Sequence, residues 1–213
     1  MVGLGRHRSF CGVVKHADQS NGPSRRILRR AVVGTVRRAG LLCRHSWPVA
    51  TADQKNQPNV RMVLLKGLSE KGFVFYTNFN SKKGSELKVN QKASMCFHWK
   101  SLRRQVRVLG KVEEVTSKEA DDYYNSRPYK NRISAWASSQ SQPLDKRETF
   151  LDKIKEFEKK YPDENNVPRP PYWSGWRLMP NEIEFWVDGE GRIHERLIYK
   201  NTGGKWSKEI LYP

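Results

Sequence analysis

Arg192, His194 and Arg196 recur at every second position of the run Arg192-Ile193-His194-Glu195-Arg196. Read as an extended strand, the run projects all three side chains from one face. Two permanent cations and an imidazole that titrates near neutrality form a receptor for a small dianion or an electron-rich ring. A solvated basic strand face is the plainer reading of the same pattern. The run lies on the return strand of a hairpin whose outgoing strand begins Ile183-Glu184-Phe185-Trp186.

Four other groups have anion-binding character. Arg61 and Lys66 end the run Arg61-Met62-Val63-Leu64-Leu65-Lys66, on opposite faces if the strand is regular. Ser81-Lys82-Lys83 opens a helix, where free backbone N–H groups, the helix dipole and two ammonium groups suit a phosphate. Tyr123 and Arg127 are spaced i and i+4, which puts a hydroxyl and a guanidinium on one side of a helix. Gln140-Ser141 is polar and uncharged. No nucleophile elbow, HExxH or paired-cysteine motif accompanies these groups, and no metal site is expected. His98, between Phe97 and Trp99, reads as a structural histidine. Anion receptors without an acid–base engine suit a protein that positions a cofactor and lets it react.

The elements that must position these residues can be read along the chain. Stretches 59–68 and 72–79 read as paired strands, and 93–99 and 105–115 as two more, the last alternating Val106, Val108, Gly110 and Val112. Ser81 caps a short helix through Leu87. Thr116-Ser117-Lys118-Glu119 has capping-box spacing and opens a helix to about Ser126. Helices are also expected over 133–139 and 148–161. Two or three closing strands follow the proline-rich link 167–171, turned at 188–191 and 201–204. Short strands with inserted helices make this an α+β chain, a small antiparallel barrel with helical excursions.

Of the formal net charge of +18, residues 1–46 carry ten Lys/Arg against one acid, Asp18, and the remainder carries thirty against twenty-one. The division places a basic segment at 1–46 before one domain at 47–213. That segment reads as a disordered tail; an organelle transit peptide and an alternatively spliced or misassigned start are the other readings. Apolar runs are too short for a transmembrane helix. Three cysteines without metal spacing fit a reducing compartment, so a cytoplasmic protein is expected, with mitochondria as the alternative through the Arg-rich start.

From Val49 onward the chain resembles the pyridoxamine (pyridoxine) 5′-phosphate oxidases. The stretches that carry the resemblance are RMVLLKG (61–67), GFVFYTNFNSKKG (72–84), RQVRVLGKVE (104–113), YYNSRP (123–128), WASSQS (136–141), PYWSGWRL (171–178), IEFW (183–186), RIHER (192–196) and ILYP at the C-terminus. The resemblance implies an FMN-binding split β-barrel with inserted helices, a homodimer with both active sites at the subunit interface. It implies oxidation of pyridoxamine 5′-phosphate or pyridoxine 5′-phosphate to pyridoxal 5′-phosphate, with O₂ as acceptor and H₂O₂ as product, in vitamin B6 metabolism. For FMN it implies Arg61, Met62, Val63, Leu64, Tyr76, Thr77, Lys82, Lys83, Gln105, Gln140, Ser141, Trp186 and Arg196. For the substrate it implies Lys66, Tyr123, Arg127 and Asn131 at the phosphate, and Arg192 and His194 over the pyridine ring. Arg196 and His194 are the residues expected to tune catalysis.

The chain departs from the family at three places. Asn131 stands where serine is usual and Arg132 where glutamine is usual, so an extra cation is expected in the substrate grip. Residues 1–48 do not match the family's opening helix and first strand, so the barrel is expected to lack a strand and expose an edge. Two other functions remain open on sequence alone. One is a non-catalytic flavin or pyridoxal-phosphate binding protein. The other is a basic nucleic-acid-binding protein, disfavoured by the absence of a basic-aromatic RNA motif or a DNA-reading helix; neither nucleic acid nor membrane is an expected partner.

Overall fold

The structure, a computed structural model, describes residues 46–69 and 71–213. The basic segment read over 1–46 lies outside the described residues, Ser46 excepted. The described strands are β1 (Ser46–Ala52), β2 (Pro58–Leu64), β3 (Gly67–Ser69), β4 (Gly72–Asn78), β5 (Lys92–Trp99), β6 (Arg104–Glu114), β7 (Trp173–Val187), β8 (Glu195–Thr202) and β9 (Lys205–Leu211). The helices are α1 (Lys82–Val89), α2 (Ser117–Asn125), α3 (Tyr129–Ala137) and α4 (Arg147–Lys160).

Hydrogen bonding orders the strands β2-β1-β5-β6-β7-β4-β3, all pairings antiparallel, with β8 on β7 and β9 on β8. Only Leu65 and Lys66 separate β2 from β3, the two ends of that order. The sheet must therefore curl until its edges almost meet. No pairing joins β2 to β3, so the barrel is split.

Alternation along the strands decides what fills it. Val49, Phe75, Phe97, Val108 and Ile183 are fully shielded inside it, and their neighbours point to the other face of the sheet, where some, such as Val74 and Glu184, are buried as well. Burying each such side chain contributes about 1.5–3 kcal/mol. The fifteen residues of β7 pair with β4 through 173–178 and with β8 through 182–187, on the same edge. Between these spans the register to β6 shifts at Leu109/Gly110, leaving Asn181 as an extra residue beside Pro180. A proline cannot donate to the ladder, and a bulge bends a strand, so the change of partner falls where the ladder is already interrupted. Gly110 is required there because a Cβ would lie 1.9 Å from the Met179 carbonyl oxygen.

Several expectations need correction. The stretch 59–68 is two strands, and only β3 pairs with β4; β2 pairs with β1. The first strand is present: β1 sits between β2 and β5 and places Val49 in the core. The third helix begins at Tyr129, with Pro128 as its cap, where a pre-set φ suits a helix start. The capping box at Thr116 and Glu119 and the Ser81 cap form as read. No helix among the described residues is long and apolar enough to cross a membrane.

Candidate functional site

One cavity of ≈ 560 Å³ opens between the end of β2, the end of β4, the start of α1 and the α2–α3 junction. Met62, Val63, Leu64, Lys66, Tyr76, Thr77, Lys83, Tyr123, Arg127, Asn131 and Gln140, expected from sequence at two adjacent ligands, all line it. The size is that of a small-molecule or cofactor site.

Its cationic end is built by α1. Ser81 is fully buried; its hydroxyl donates to the Asn78 carbonyl (2.6 Å) and accepts from the Gly84 N–H (3.3 Å). Gly84 cannot be larger, because a Cβ would lie 2.4 Å from the Phe79 carbonyl oxygen. The tight turn aims Lys83 at Thr77, Nζ to Oγ1 2.6 Å. Burial pushes the Lys83 ammonium down to about 8; the nearby Arg61 charge acts the same way and Glu86 opposes it.

Its aromatic wall is a stack. The Tyr76 ring lies 4.1 Å from Tyr123 and 5.3 Å from Trp173, nearly parallel to both. The Tyr76 hydroxyl donates to the Glu119 carbonyl (3.2 Å), tying the stack to the first turn of α2. Arg127 lies over Trp173 at 4.8 Å, and Lys66 over Tyr123 at 5.7 Å. The Arg127 Nη1 is buried without a hydrogen-bond partner. Burial lowers the Arg127 pKa, so an arriving anion would meet a guanidinium already stripped of water. Arg127 lies two residues beyond the end of α2, so it shares the cavity with Tyr123 without sharing its helix.

The remaining expected residues lie elsewhere in the chain. Gln105, Trp186 and Arg196 are direct cross-strand partners on β6, β7 and β8, so they form one row on one face. Arg196 Nε donates to Glu184 Oε1 (2.8 Å), and its Nη1 donates to the Tyr212 carbonyl (3.0 Å). Glu184 is 2% exposed. Burial pushes its carboxyl up, but the hydrogen bonds and charges of Arg196 and Arg107 outweigh this and hold it below the ordinary range. His194 packs against Trp186 with ring centroids 4.7 Å apart. Its Nδ1 lies 3.1 Å from Asp188 Oδ1 and 3.2 Å from the Gly189 nitrogen, so the proton on Nδ1 decides which it bonds.

Three readings of individual residues change. Arg192 is not on a strand with His194 and Arg196: Gly191 and Arg192 both have positive φ (62° and 65°), and β8 begins at Glu195. The 188–191 turn is thus longer than a tight hairpin and breaks the alternation. Arg132 adds no cation to the cavity; it is 7% exposed and donates to the Glu164 carbonyl. His98 is exposed beside Gln105 on the outer face, not structural. Arg61 faces inward with Asn59 and Val63, pairs with Glu86 and acts by its charge on Lys83 from just outside the cavity lining, while Lys82 and Ser141 line an adjoining hollow of ≈ 460 Å³. Trp173, Asn78 and Ser138 belong to the cavity but were not singled out by sequence. All three lie within the stretches that carry the family resemblance, which assigned them no role.

A family model described as "Pyridoxamine 5'-phosphate oxidase" matches residues 36–161, and one described as "Pyridoxine 5'-phosphate oxidase C-terminal dimerisation region" matches 173–213. A protein of Pelagibacter ubique named pyridoxine/pyridoxamine 5′-phosphate oxidase is 60% identical over 166 residues, 78% of this chain and 80% of that one. One of the same name from a Chelativorans species is 55% identical over 166 residues, 78% and 79% of the two chains. Among solved structures, PhzG from Burkholderia lata, in complex with tetrahydrophenazine-1-carboxylic acid, has TM-score 0.81 at 28% identity, covering 92% of this chain and 95% of its own. A pyridoxamine 5′-phosphate oxidase-related, FMN-binding protein from Nostoc punctiforme has TM-score 0.70 at 19% identity, covering 87% and 97%, which bears on the fold alone.

Proposed function

The chain belongs to the pyridoxamine 5′-phosphate oxidase family, and from that premise we propose that the cavity and the Gln105–Trp186–Arg196 row are the two parts of an FMN-dependent oxidase site. The protein oxidises pyridoxamine 5′-phosphate or pyridoxine 5′-phosphate to pyridoxal 5′-phosphate. The observation that carries this reading is the convergence of Lys66, Lys83, Tyr123, Arg127, Asn131 and Gln140 on one cavity from separate segments of the chain. The test is oxygen-dependent formation of pyridoxal 5′-phosphate and H₂O₂ by FMN-loaded protein; neither product forming would overturn it.

The residues present suit both ligands. The N-terminus of α1 with Lys83 offers a cation and oriented N–H groups to the phosphate of FMN, and Thr77 and Gln140 offer polar contacts beside it. Arg127, with its unpartnered Nη1, suits the phosphate of the substrate together with Lys66, Tyr123 and Asn131. The chemistry that the flavin supplies when bound is two-electron oxidation at C4′ of the substrate, with O₂ as final acceptor. The protein's share is to hold a dianion so that one carbon faces the ring, and to set the charge around it.

Two copies of the chain complete the site in this reading. Trp173 lines the cavity and Trp186 lies in the other group, at opposite ends of β7, as much as roughly 40 Å apart along an extended strand. The region matched to the dimerisation model contains Trp186, Arg192, His194 and Arg196. Met62 and Leu64, at the cavity rim, leave apolar surface exposed, 58% for Met62, which a partner subunit would cover.

Two predictions follow from the phosphate grips. Lys83 loses its positive charge as pH rises through about 8. FMN affinity should therefore fall above that pH, approaching tenfold per unit if the ammonium is required. Quenching of flavin fluorescence from pH 7 to 9.5 measures this, and a flat profile would remove Lys83 from the cofactor site. Asn131→Ser should lower KM for the phosphorylated substrate with little change in kcat, since a hydroxyl at this cavity position matches the family's usual donor. An unchanged KM would count against Asn131 as a substrate contact.

A further inference from the structure

Behind Lys83 lies a buried carboxylate. Glu86, on the inner side of α1, is 4% exposed. One of its oxygens accepts from Asn59 Nδ2 (3.0 Å), and the other accepts from Arg61 Nη2 (2.8 Å) and from the Thr51 hydroxyl. The Thr51 hydroxyl in turn accepts from Arg61 Nη1. Thr51 and Asn59 are direct partners across the β1–β2 ladder, and Arg61 is the next inward-facing residue on β2. Strand and helix thus fix both terminal nitrogens of one guanidinium.

This arrangement answers an electrostatic problem. Arg61 is paired with Glu86, which lies one helical turn from Lys83 on α1. The Arg61 charge lowers the Lys83 pKa, and both cations are partly withdrawn from water. Two such cations repel each other unless a counter-charge stands beside them. Burial pushes the Glu86 carboxyl up, but hydrogen bonds from Thr51, Asn59 and Arg61 prevail and keep it below the ordinary range. Glu86 is therefore an anion at neutral pH. Thr77, which Lys83 contacts from β4, carries no charge.

We propose that Glu86 is a positioning residue of the cofactor-phosphate site: it fixes the Arg61 guanidinium and supplies the counter-charge that lets Arg61 and Lys83 stand together. The proposal rests on the reading of this end of the cavity as the FMN-phosphate site. It assigns Glu86 no contact with the ligand.

The experiment measures binding of FMN and of riboflavin, which lacks the phosphate, to the full-length apoprotein and to its Glu86→Gln and Thr51→Val variants across pH 7 to 9.5. In Glu86→Gln, the FMN Kd should rise about tenfold to a hundredfold, by analogy with the loss on removing a group that orients a metal-binding side chain. Riboflavin binding should stay nearly unchanged, and the alkaline loss of FMN affinity should move to lower pH. Thr51→Val keeps the carboxylate but frees Arg61 Nη1, so it should weaken FMN binding without moving the pH profile. Glu86→Gln binding FMN as tightly as the parent, or more tightly, would overturn the proposal. Should Glu86→Gln fail to fold, Thr51→Val with parental FMN affinity would overturn it as well. A parent that binds riboflavin as tightly as FMN would instead overturn the placement of the phosphate site.

Discussion

An Arg196→Ala variant should turn over substrate about 10²–10³-fold more slowly than the parent, the loss typical of removing one preorganised charge from a reacting centre. It should still retain flavin, because the cationic end of the cavity is built by other residues. The side chain is held from two directions, by Glu184 at Nε and by the Tyr212 carbonyl at Nη1. Its cross-strand neighbours, Trp186 and through it Gln105, place it in the row proposed to face the flavin. Glu184 keeps Arg107 as a partner in the variant, so the buried carboxylate is not left alone. Steady-state H₂O₂ release, with bound flavin measured by absorbance, separates lost turnover from lost cofactor. Near-normal turnover would remove Arg196 from the mechanism.

An Arg127→Ala variant should show the other kinetic pattern, a raised KM with kcat within a few-fold of the parent. The guanidinium lies over Trp173, partly buried, with Nη1 unpartnered. A substrate phosphate would supply the missing acceptor, and a charge-assisted hydrogen bond contributes about 1.5–3 kcal/mol, or roughly 10–150-fold in KM. The phosphate undergoes no change in the oxidation at C4′ and is gripped equally in ground and transition states, so the effect belongs in KM. A variant with parental KM and reduced kcat would place Arg127 nearer the reacting atoms than proposed here.

What the sequence made legible was local. The Thr116–Glu119 box and the Ser81 cap need only three or four consecutive residues, and both form. The alternation of Val106, Val108, Gly110 and Val112 was visible because a half-buried strand imposes a period of two, and all four are buried. The convergence of Lys66, Lys83, Tyr123 and Arg127 on common ligands came from the family resemblance; taken separately, their segments read as anion-binding groups with no shared site.

What failed depended on long-range packing or on an irregular backbone. Alternation at Arg192 failed because two consecutive residues adopt positive φ, which no periodicity announces. Arg132 looked like a cavity cation by its position next to Asn131, but a helix turns about 100° per residue and carries it to the buried side. The chain's poor match over 1–48 suggested a missing strand, whereas Trp47 and Val49 pack inward as a regular β1. Glu86 could not be found because its partners are 25 to 35 residues away in sequence.

The central claim is that this chain, loaded with FMN, oxidises a phosphorylated B6 vitamer. The visible spectrum of the protein purified with added FMN, taken before and after anaerobic addition of pyridoxamine 5′-phosphate, tests it most directly. The expected result is a yellow protein that bleaches on substrate and regains its colour when oxygen is admitted. A yellow protein that substrate leaves unchanged, or a protein that never takes up the flavin, would contradict it.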